Sequence, residues 1–503
     1  MSTMTAFVTP EVTKTYEPTD WQVEDIDDLS TRDWSANWSE MGCYKTTTGL
    51  WLMQKKLENV ANPKVLIITT KAGKGTYFDA IPVVLPDWVL FNIHATGRAE
   101  LNVNGQFLKV DIEKVFDKTI VNKPTVYVAH YHCFTNKSKV RELFQKHRWD
   151  FILLDEAHRI KERSTQWTRN IKKLKAPYRH IMTGTGFINN PAEIWSLLNF
   201  LEPYIFSSYT KFKEVFCEID DWSGYEKIVG ILPGMEEEFR KMIYSFGVRR
   251  ERNGPKGVFE GKLHRPIFSN IQVELNTTQR RMYDEIKGML YTLDKKGEPI
   301  HSPNVLSMLN RLRQICVATP EKIADYYDEK LDRRVQKVQL TEPSSKLDAV
   351  MEILEGMEWD EEKKQQVVIF SNFKDPLNLL AKRFDAMDDP IPYLHMKAEM
   401  SEDERYRLWH DLWPTKQHRV FMATLALGSE SINLSSADTA IFLDRSWSPK
   451  DNEQGISRIY RPPQTAVPHI IHINAKNTTD QYVESVNATK MGWFRDIFGQ
   501  NGD

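Results

Sequence analysis

The sequence has few of the features that mark secreted, membrane or metal-rich proteins. Its 503 residues include only 4 cysteines, all far apart, so neither a disulfide framework nor a zinc site is indicated. No segment approaches the roughly 18 uninterrupted apolar residues that cross a membrane. The first residues lack the basic start and apolar middle of a signal peptide. We therefore expect a cytoplasmic protein without a membrane partner.

The charge balance excludes one general route to nucleic acid. With 67 Lys and Arg against 69 Asp and Glu, the net charge is −2, so the whole protein is not drawn to a polyanion. A nucleic-acid surface would have to be local. One candidate is a basic stretch in which Glu162 is the only acidic residue: Arg159, Lys161, Arg163, Arg169, Lys172, Lys173 and Lys175. A solvated helix face explains this stretch equally well.

The sequence does contain the pattern of an α/β protein, and contains it twice. Hydrophobic residues make up 41% of the chain, and the length exceeds what one core accommodates. Short apolar runs alternate with helical patterns in two regions. In the first half the runs are 65–69, 125–129, 151–154 and 180–183, and in the second half they are 366–371, 420–424, 439–443 and 469–473. Between them, residues 279–354 carry amphipathic helical patterns, for example at 305–316.

The most informative run is FILLDEAH at residues 151–158, which stops at two adjacent carboxylates. It predicts a strand buried in a parallel sheet, and such sheets bind ligands at the carboxyl ends of their strands. The acids there suit phosphate chemistry, in which Asp155 and Glu156 would divide two roles between them, holding Mg²⁺ and orienting the attacking water. His158 is then placed to sense the γ-phosphate. Taken alone, the pair is equally consistent with a strand that ends in a solvated acidic turn.

A second candidate lies upstream, where EMGCYKT at residues 40–46 precedes an apolar helical pattern. It is similar to a phosphate-binding loop at a helix N-terminus: Gly42 belongs to the loop, Lys45 neutralises phosphate and Thr46 ligates Mg²⁺. Tyr44 departs from the pattern, because the residue before the lysine is normally glycine. Tyrosine can adopt helical angles there, where its bulk would crowd the nucleotide or stack on it.

Residues 71–76, KAGKGT, follow another predicted strand and imitate such a loop. Lys74 is followed by glycine instead of Ser or Thr, and no good helix opens directly behind it. We therefore predict a turn whose lysines contact nucleic-acid backbone.

Two further segments carry weaker signals. TGTG at 183–186 follows a predicted strand, and suits either a link between nucleotide state and a second lobe or a simple β-turn. Within residues 452–461, Gln454, Arg458 and Arg461 are four and three positions apart, which on a helix places them on one face. Two fixed guanidinium groups there suit stabilisation of a transferring phosphoryl group, and a solvated surface helix is the alternative.

In this order the segments resemble the Swi/Snf-type ATPases of helicase superfamily two, over most of the chain. Residues 309–316, LNRLRQIC, closely resemble the helical segment that distinguishes this family from other superfamily members. The remaining segments that resemble family motifs are 16–23, 42–46, 65–71, 129–131, 155–158, 183–186, 345–347, 368–371, 428–438 and 454–461. The ordered set is far more specific than any one of its members.

The resemblance implies an α/β fold of two tandem RecA-like lobes with parallel sheets, plus helical insertions between them. The expected parts are an N-terminal ATPase lobe at 1–265, a helical linker or protrusion region at 266–345 and a C-terminal helicase lobe at 346–503. Within the first lobe, residues 207–263 resemble a variable insertion or protrusion to which no role is assigned.

The resemblance also implies an activity, namely ATP hydrolysis coupled to movement along double-stranded DNA without strand separation. ATP and Mg²⁺ are the implied cofactors, and DNA is the implied partner. Gln22 belongs to the motif that reads adenine in this family. Gln454, Arg458 and Arg461 are expected to complete the site from the other lobe. The implied source is a compact bacterial or viral member, in the cytoplasm of a bacterial cell or of a virus-infected host.

Two departures from the family pattern leave alternatives open. Tyr44 and Ser431 stand where the family has glycine, so the phosphate loop and a loop that contacts nucleic acid are less flexible than expected. One alternative is a strand-separating DNA or RNA helicase. The other is a nucleic-acid clamp whose hydrolysis is crippled by Tyr44.

Overall fold

Two parallel β-sheets organise the chain, each in a unit of its own. The computed structural model describes residues 17–71, 73–103, 105–116, 122–184, 190–222, 225–253, 257–302, 304–328, 333–357, 359, 364–428 and 432–498. One compact unit comprises the chain up to Glu260 and the residues from Gly492 onward, and the other comprises Gly261–Met491.

In its described residues, the first unit has one helix at the start and then alternates strands and helices. Its strands are β1 (Trp34–Asn37), β2 (Lys64–Thr69), β3 (Val89–Ile93), β4 (Arg98–Val103), β5 (Gln106–Asp111), β6 (Thr125–His130), β7 (Phe151–Asp155), β8 (Tyr178–Met182), β9 (Cys217–Trp222), β10 (Tyr225–Ile231) and β11 (Gly247–Val248). Its helices are α1 (Asp20–Ser30), α2 (Lys45–Lys56), α3 (Gly73–Val84), α4 (Val140–Lys146), α5 (Gln166–Ile171), α6 (Ile194–Leu201), α7 (Tyr209–Phe216) and α8 (Glu236–Phe246).

The described strands of this unit form a sheet in the order β11-β1-β8-β7-β2-β6-β3-β4-β5, with β9 and β10 as a separate hairpin. The strands from β11 to β3 are parallel, and β4 and β5 are antiparallel. Apolar clusters lie on both faces, so central strands such as β7 are buried on both sides. This burial is why they read as continuous apolar runs.

Residues 207–263, which the sequence suggested to be a protrusion, are in part built into this core. Phe212 and Phe239 are buried in the same apolar cluster as the sheet. β11 pairs in parallel with β1 at the sheet edge, with Gly247 opposite Ala36. A side chain at Gly247 would clash with the backbone of Ala36, so the close approach requires glycine.

The second unit repeats the alternation. Its strands are β12 (Ile267–Val273), β13 (Tyr291–Leu293), β14 (Pro299–His301), β15 (Thr319–Asp328), β16 (Arg333–Thr341), β17 (Val367–Ser371), β18 (Tyr393–Met396), β19 (Val420–Thr424), β20 (Thr439–Phe442) and β21 (His469–Ala475). Its helices are α9 (Thr277–Met289), α10 (Val305–Val317), α11 (Ser345–Glu355), α12 (Lys374–Asp385), α13 (Glu402–Tyr406), α14 (Leu425–Gly428) and α15 (Pro449–Ile459). The last helix, α16 (Thr479–Phe498), begins in this unit, and its residues from Gly492 onward are assigned to the first.

The second sheet has the order β12-β21-β20-β17-β19-β18, and all its described pairings are parallel. The prediction of two α/β lobes with parallel sheets is therefore confirmed. The helical description of residues 266–345 holds for α9 and α10, but β12 belongs to the sheet and β13–β16 form two hairpins. As an edge strand, β12 is only partly buried and lacks the apolar run that identifies a central strand.

The eight apolar runs taken from the sequence correspond to β2, β6, β7, β8, β17, β19, β20 and β21. All eight are strands of the two parallel sheets, because burial on both faces selects apolar residues at successive positions. No helix within the described ranges is long and apolar enough to cross a membrane.

Candidate functional site

Asp155 ends β7 and lies beside the end of β2. Thr69 Oγ1 donates a hydrogen bond to Asp155 Oδ2 at 2.8 Å, and the backbone N–H of Glu156 donates to Oδ1 at 2.9 Å. The phenol of Tyr131 donates to the backbone carbonyl of Asp155 at 2.6 Å. The carboxylate and its backbone are therefore fixed at the carboxyl edge of a parallel sheet, where ligands bind in such folds.

The protonation of Asp155 reflects its enclosure and its neighbour. The pKa of Asp155 is raised to about 6, first by burial and then by the Glu156 carboxylate, while Thr69 and Lys45 act in the opposite direction. Two carboxylates at one sheet edge repel each other, and a bound cation would relieve that repulsion. Because Asp155 is enclosed and next to a second carboxylate, it differs from an acid in a solvated turn.

Glu156 adopts a left-handed backbone conformation, with φ 50° and ψ 47°. This conformation is costly for a residue with a side chain, roughly 1 to 3 kcal/mol, and tends to occur at functional sites. Its Oε2 lies 3.1 Å from Nδ1 of His158, which is buried, and the same Nδ1 lies 3.3 Å from Thr183 Oγ1. His158 therefore joins the acidic pair to the end of the neighbouring strand β8. Residues 185–189, including Thr185 and Gly186 of the TGTG segment, lie outside the described residues.

The loop at residues 40–46 turns tightly and leads into α2. Gly42 has φ +85°, which favours glycine. Tyr44 is the N-cap of α2, with φ 46° and ψ 31°, so the interpretation that tyrosine takes ordinary helical angles here is wrong. The turn needs a left-handed residue before the helix, which is the reason related loops place glycine at this position. The Tyr44 ring is exposed, and its centroid lies 5.7 Å from that of Phe259.

Lys45 begins α2, and its ammonium group lies within the loop. Nζ donates to the backbone carbonyls of Ser39 at 2.8 Å and Glu40 at 2.7 Å. Burial lowers the pKa of Lys45, and the negative charges of Glu156 and Asp155 are among the effects that oppose this. The loop lysine and the acidic pair are therefore close enough to interact within one unit. Thr46 follows in the first turn of α2 and is half-buried.

Gln22 is buried in α1 and has hydrogen bonds on both sides of its amide. Oε1 accepts from the backbone N–H of Thr19 at 3.1 Å, which closes the N-terminus of α1. Nε2 donates to Thr47 Oγ1 at 3.2 Å and to Thr48 Oγ1 at 3.0 Å. The side chain thus ties α1 to the helix that follows the loop.

The interpretation of residues 71–76 as a turn is wrong. Helix α3 begins at Gly73, and Lys74 is buried with Nζ donating to the carbonyl of Ile93 at 2.9 Å. The lysine is therefore used inside the unit and does not face nucleic acid. Its glycine-rich surroundings hid the helix, because glycine is a poor helix former at the start of a pattern.

Of the three polar residues predicted near the end of the second unit, two lie on one helix. Gln454 and Arg458 belong to α15, with Gln454 buried and Arg458 half-buried. Arg461 lies beyond the helix, and its Nη1 donates to the carbonyl of Ile432 at 3.4 Å. The prediction that all three share one helix face is therefore wrong for Arg461. Two prolines follow it directly, and they cannot continue a helix.

Two models of known protein families match the chain. A family model described as the SNF2-related domain matches residues 40–320. The chain belongs to the SNF2-related family. A second model, the helicase conserved C-terminal domain, matches residues 345–463.

Relatives of this SNF2-related chain are much longer proteins. It is 24% identical to the chromatin structure-remodeling complex protein SYD of Arabidopsis thaliana, over 85% of this chain and 12% of that protein. It is 24% identical to an uncharacterized ATP-dependent helicase of Mycoplasma genitalium, over 71% and 31%. It is 24% identical to the ISWI chromatin-remodeling complex ATPase ISW1 of Saccharomyces cerevisiae, over 87% and 38%. The chain thus spans well under half the length of each.

One solved structure that is similar to the SNF2-related chain is the Sulfolobus solfataricus SWI2/SNF2 ATPase core in complex with dsDNA. It has 20% sequence identity and a TM-score of 0.41, and the match covers 96% of this chain and 93% of that one.

Sequence reasoning missed two groups of polar contacts in this SNF2-related chain. The first is on residues 249–252, whose three arginines contact α1 and Glu40 of the loop at residues 40–46. The second surrounds Asp444, which accepts hydrogen bonds from Ser371 and Asn372 and lies 3.3 Å from Arg313 of α10. The doublet at Arg249 and Arg250 was a visible signal, but partners more than 200 residues away cannot be assigned from spacing.

Proposed function

We propose that the chain is an ATPase that couples ATP hydrolysis to movement along double-stranded DNA. One observation carries the proposal: Lys45 of the phosphate loop lies within electrostatic reach of the Asp155 and Glu156 carboxylates, at the carboxyl edge of a parallel sheet. A cationic phosphate site opposite an acidic metal site is the arrangement that phosphoryl transfer to water requires. Membership of the SNF2-related family supports the same activity.

In the proposed site each residue has a separate task. Lys45 and the backbone amides at the start of α2 neutralise the phosphates. Thr46 and Asp155 supply hard oxygen ligands of the kind that hold Mg²⁺ together with substrate phosphates. These two residues would hold the ion, which would offset the negative charge that develops on the phosphates during hydrolysis. Glu156 holds the attacking water, and His158 relays its position to Thr183.

Four further residues are assigned to the adenine base and to the transferred phosphoryl group. We assign Gln22 to adenine, for which its amide would exchange one of the partners Thr47 and Thr48. We assign Gln454, Arg458 and Arg461 to the charge that develops on the transferred phosphoryl group when the lobes close. Each lobe would bind the phosphate backbone of DNA, and opening and closing of the lobes during hydrolysis would move the protein along it.

The partner and source follow from the same family membership. We propose double-stranded DNA as the partner, because the relatives include proteins of chromatin-remodeling complexes. We propose a compact bacterial or viral member that acts in the cytoplasm, and similarity to the Mycoplasma helicases supports the bacterial source.

The test is steady-state ATP hydrolysis with and without double-stranded DNA, for the unaltered protein and for Glu156→Gln. We expect stimulation by DNA and a loss of at least a hundredfold in the variant, because the residue that activates water is removed while ATP is still bound. A rate that DNA does not stimulate and that Glu156→Gln does not change would overturn the proposal. Displacement of a labelled strand would identify a strand-separating helicase instead.

The left-handed backbone at Tyr44 favours a second candidate, a nucleic-acid clamp with impaired hydrolysis. An L-residue with a bulky side chain in this turn stores strain at the position that must wrap the phosphates. A clamp would bind DNA with hydrolysis close to background, and Tyr44→Gly would increase the rate.

A further inference from the structure

The edge segment, residues 247–252, runs beside the phosphate loop. Its first residues form β11, with Gly247 opposite Ala36 and Val248 opposite Asn37 of β1. The pairing continues past the strand, since Glu40 N–H donates to the carbonyl of Arg250 at 2.9 Å. The edge segment therefore stays paired with the residues that follow β1 and lead into the loop at residues 40–46.

Glu40 is the point where the edge segment and the loop meet. Its Oε2 accepts from the backbone N–H of Arg252 at 2.9 Å and from Arg252 Nε at 3.3 Å. Its Oε1 lies 3.6 Å from Nη2 of Arg249. The backbone carbonyl of the same Glu40 accepts the hydrogen bond from Lys45 Nζ. One residue thus connects two buried arginine side chains to the phosphate-binding lysine.

The two arginines stabilise the negative charge of the Glu40 carboxylate. Burial acts to raise the pKa of Glu40, but Arg252 and Arg249 outweigh it and hold the pKa below its usual value, so the group is ionised. An ionised carboxylate in a loop that receives a triphosphate would repel it unless a cation is held close by. Arg252 is 8% exposed, so its charge is little screened by solvent.

We propose that Arg252 is a positioning residue of the nucleotide site, which fixes and neutralises Glu40 so that the phosphate loop accepts a triphosphate. The inference rests on the proposed ATPase function. It gives Arg252, near the end of a region that resembles a variable insertion, an indirect part in nucleotide binding through Glu40.

The test measures the dissociation constant of ATP in the presence of Mg²⁺, with thermal stability recorded alongside. The variants are Arg252→Met, Glu40→Gln and the double variant, with Lys241→Ala on the exposed face of α8 as the control. We expect Arg252→Met to weaken ATP binding roughly tenfold or more, because it leaves Glu40 charged and without its main partner. The double variant should recover to within about threefold of the unaltered protein, since it removes the stranded charge as well.

A pH series separates this role from a purely structural one. In Arg252→Met, burial should raise the pKa of Glu40, so ATP binding should improve as the pH falls from about 8 to about 6. The other charged or titratable groups around Glu40 are Arg249 and Glu251 of the edge segment, Cys43 of the loop and Lys45 of α2, and all are common to every variant. The double variant should lack the extra pH dependence.

Two results would overturn the inference. One is Arg252→Met binding ATP as tightly as the control, and the other is a double variant as weak as Arg252→Met at every pH. If Arg252→Met does not fold, Arg252→Lys is the substitute, and a loss of less than about threefold is expected because the charge remains. Failure of the unaltered protein to bind ATP would instead overturn the proposed function and this inference with it.

Discussion

The buried imidazole of His158 lies beside the partly exposed carboxylate of Glu156, with 3.1 Å between Nδ1 and Oε2. The same nitrogen lies 3.3 Å from Thr183 Oγ1. A movement of Glu156 would therefore shift the imidazole and change its contact with Thr183, which follows β8. The pair is therefore suited to fix the position of Glu156, for which we propose the activation of water, and to couple that position to the neighbouring strand.

We expect His158→Ala to lower kcat roughly tenfold or more, with little change in ATP affinity, because Glu156 loses the group that orients it while the phosphate loop is intact. Thr183→Val should have a smaller effect in the same direction, as it removes only the second contact of the imidazole. Single-turnover hydrolysis together with equilibrium ATP binding checks both. Equal kcat values for His158→Ala and the unaltered protein would rule out the positioning of Glu156 by His158.

Tyr44 provides a test of backbone strain. Tyr44→Gly and Tyr44→Ala both remove the ring and its contact with Phe259, but only glycine relieves the left-handed strain. We expect Tyr44→Gly to be more stable than Tyr44→Ala by about 1 kcal/mol, a difference seen as a higher melting temperature of the glycine variant. A more stable alanine variant would contradict the strained conformation.

The second unit contains a buried ion pair at the start of α11. Lys346 has no exposed surface, and its Nζ lies 2.6 Å from Asp480 Oδ2 and donates to the carbonyl of Leu443 at 2.6 Å. Lys346→Met should cost about 3 to 5 kcal/mol, because it leaves the Asp480 carboxylate buried without its cation. Denaturant unfolding measures the loss.

The matched control for that pair is exposed. Lys374 and Glu399 lie 3.4 Å apart with most of both side chains in solvent, so Lys374→Met should leave the unfolding midpoint unchanged. If Lys346→Met and Lys374→Met lowered the free energy of unfolding equally, burial would not decide how much each ion pair contributes to stability. Addition of Asp480→Leu to Lys346→Met should recover much of the lost stability, since no buried charge then remains.

Acid should destabilise the protein through its buried histidines. Burial lowers the pKa of His180 and of His472 to about 3. The unfolded chain takes up these protons near pH ~6.5 and the folded chain does not, so the stability is complete above about pH 6.5 and is lost as the pH falls towards the folded values. At about pH 5 each group should already cost roughly 2 kcal/mol. Urea unfolding midpoints at about pH 6.5 and about pH 5 measure this loss of stability. The His180→Asn variant has no titrating group at that position, so its loss of stability between the two pH values should be smaller. An unchanged fall in that variant would contradict the assignment to His180.

The sequence predicted the central strands well because each is buried on both faces. β7 ends at Asp155 as the run 151–158 indicated, and the glycine at Gly42 marks a turn that needs positive φ. Edge elements were not predicted. β11 has only two residues, and its place beside β1 depends on contacts with a segment about 210 residues away.

The residues of the candidate site were identified from the sequence, while their partners came from the fold. Lys45, Asp155, Glu156 and His158 were recognised by type and order, and their roles in catalysis stay a prediction. Spacing along the chain could not show that Gln22 bonds Thr48, because hydrogen bonds between distant segments depend on how helices pack. Ser431 lies outside the described residues.

The sequence by itself determined the α/β class, the order of the family's segments and the residue types of the loop at 40–46 and of the acidic pair, because local patterns and side-chain chemistry carry that information. Only the tertiary structure decided that Tyr44 is left-handed, that Lys74 is buried and that Arg252 neutralises Glu40. These properties depend on which distant atoms come within a few ångströms of each other, and no local pattern encodes that.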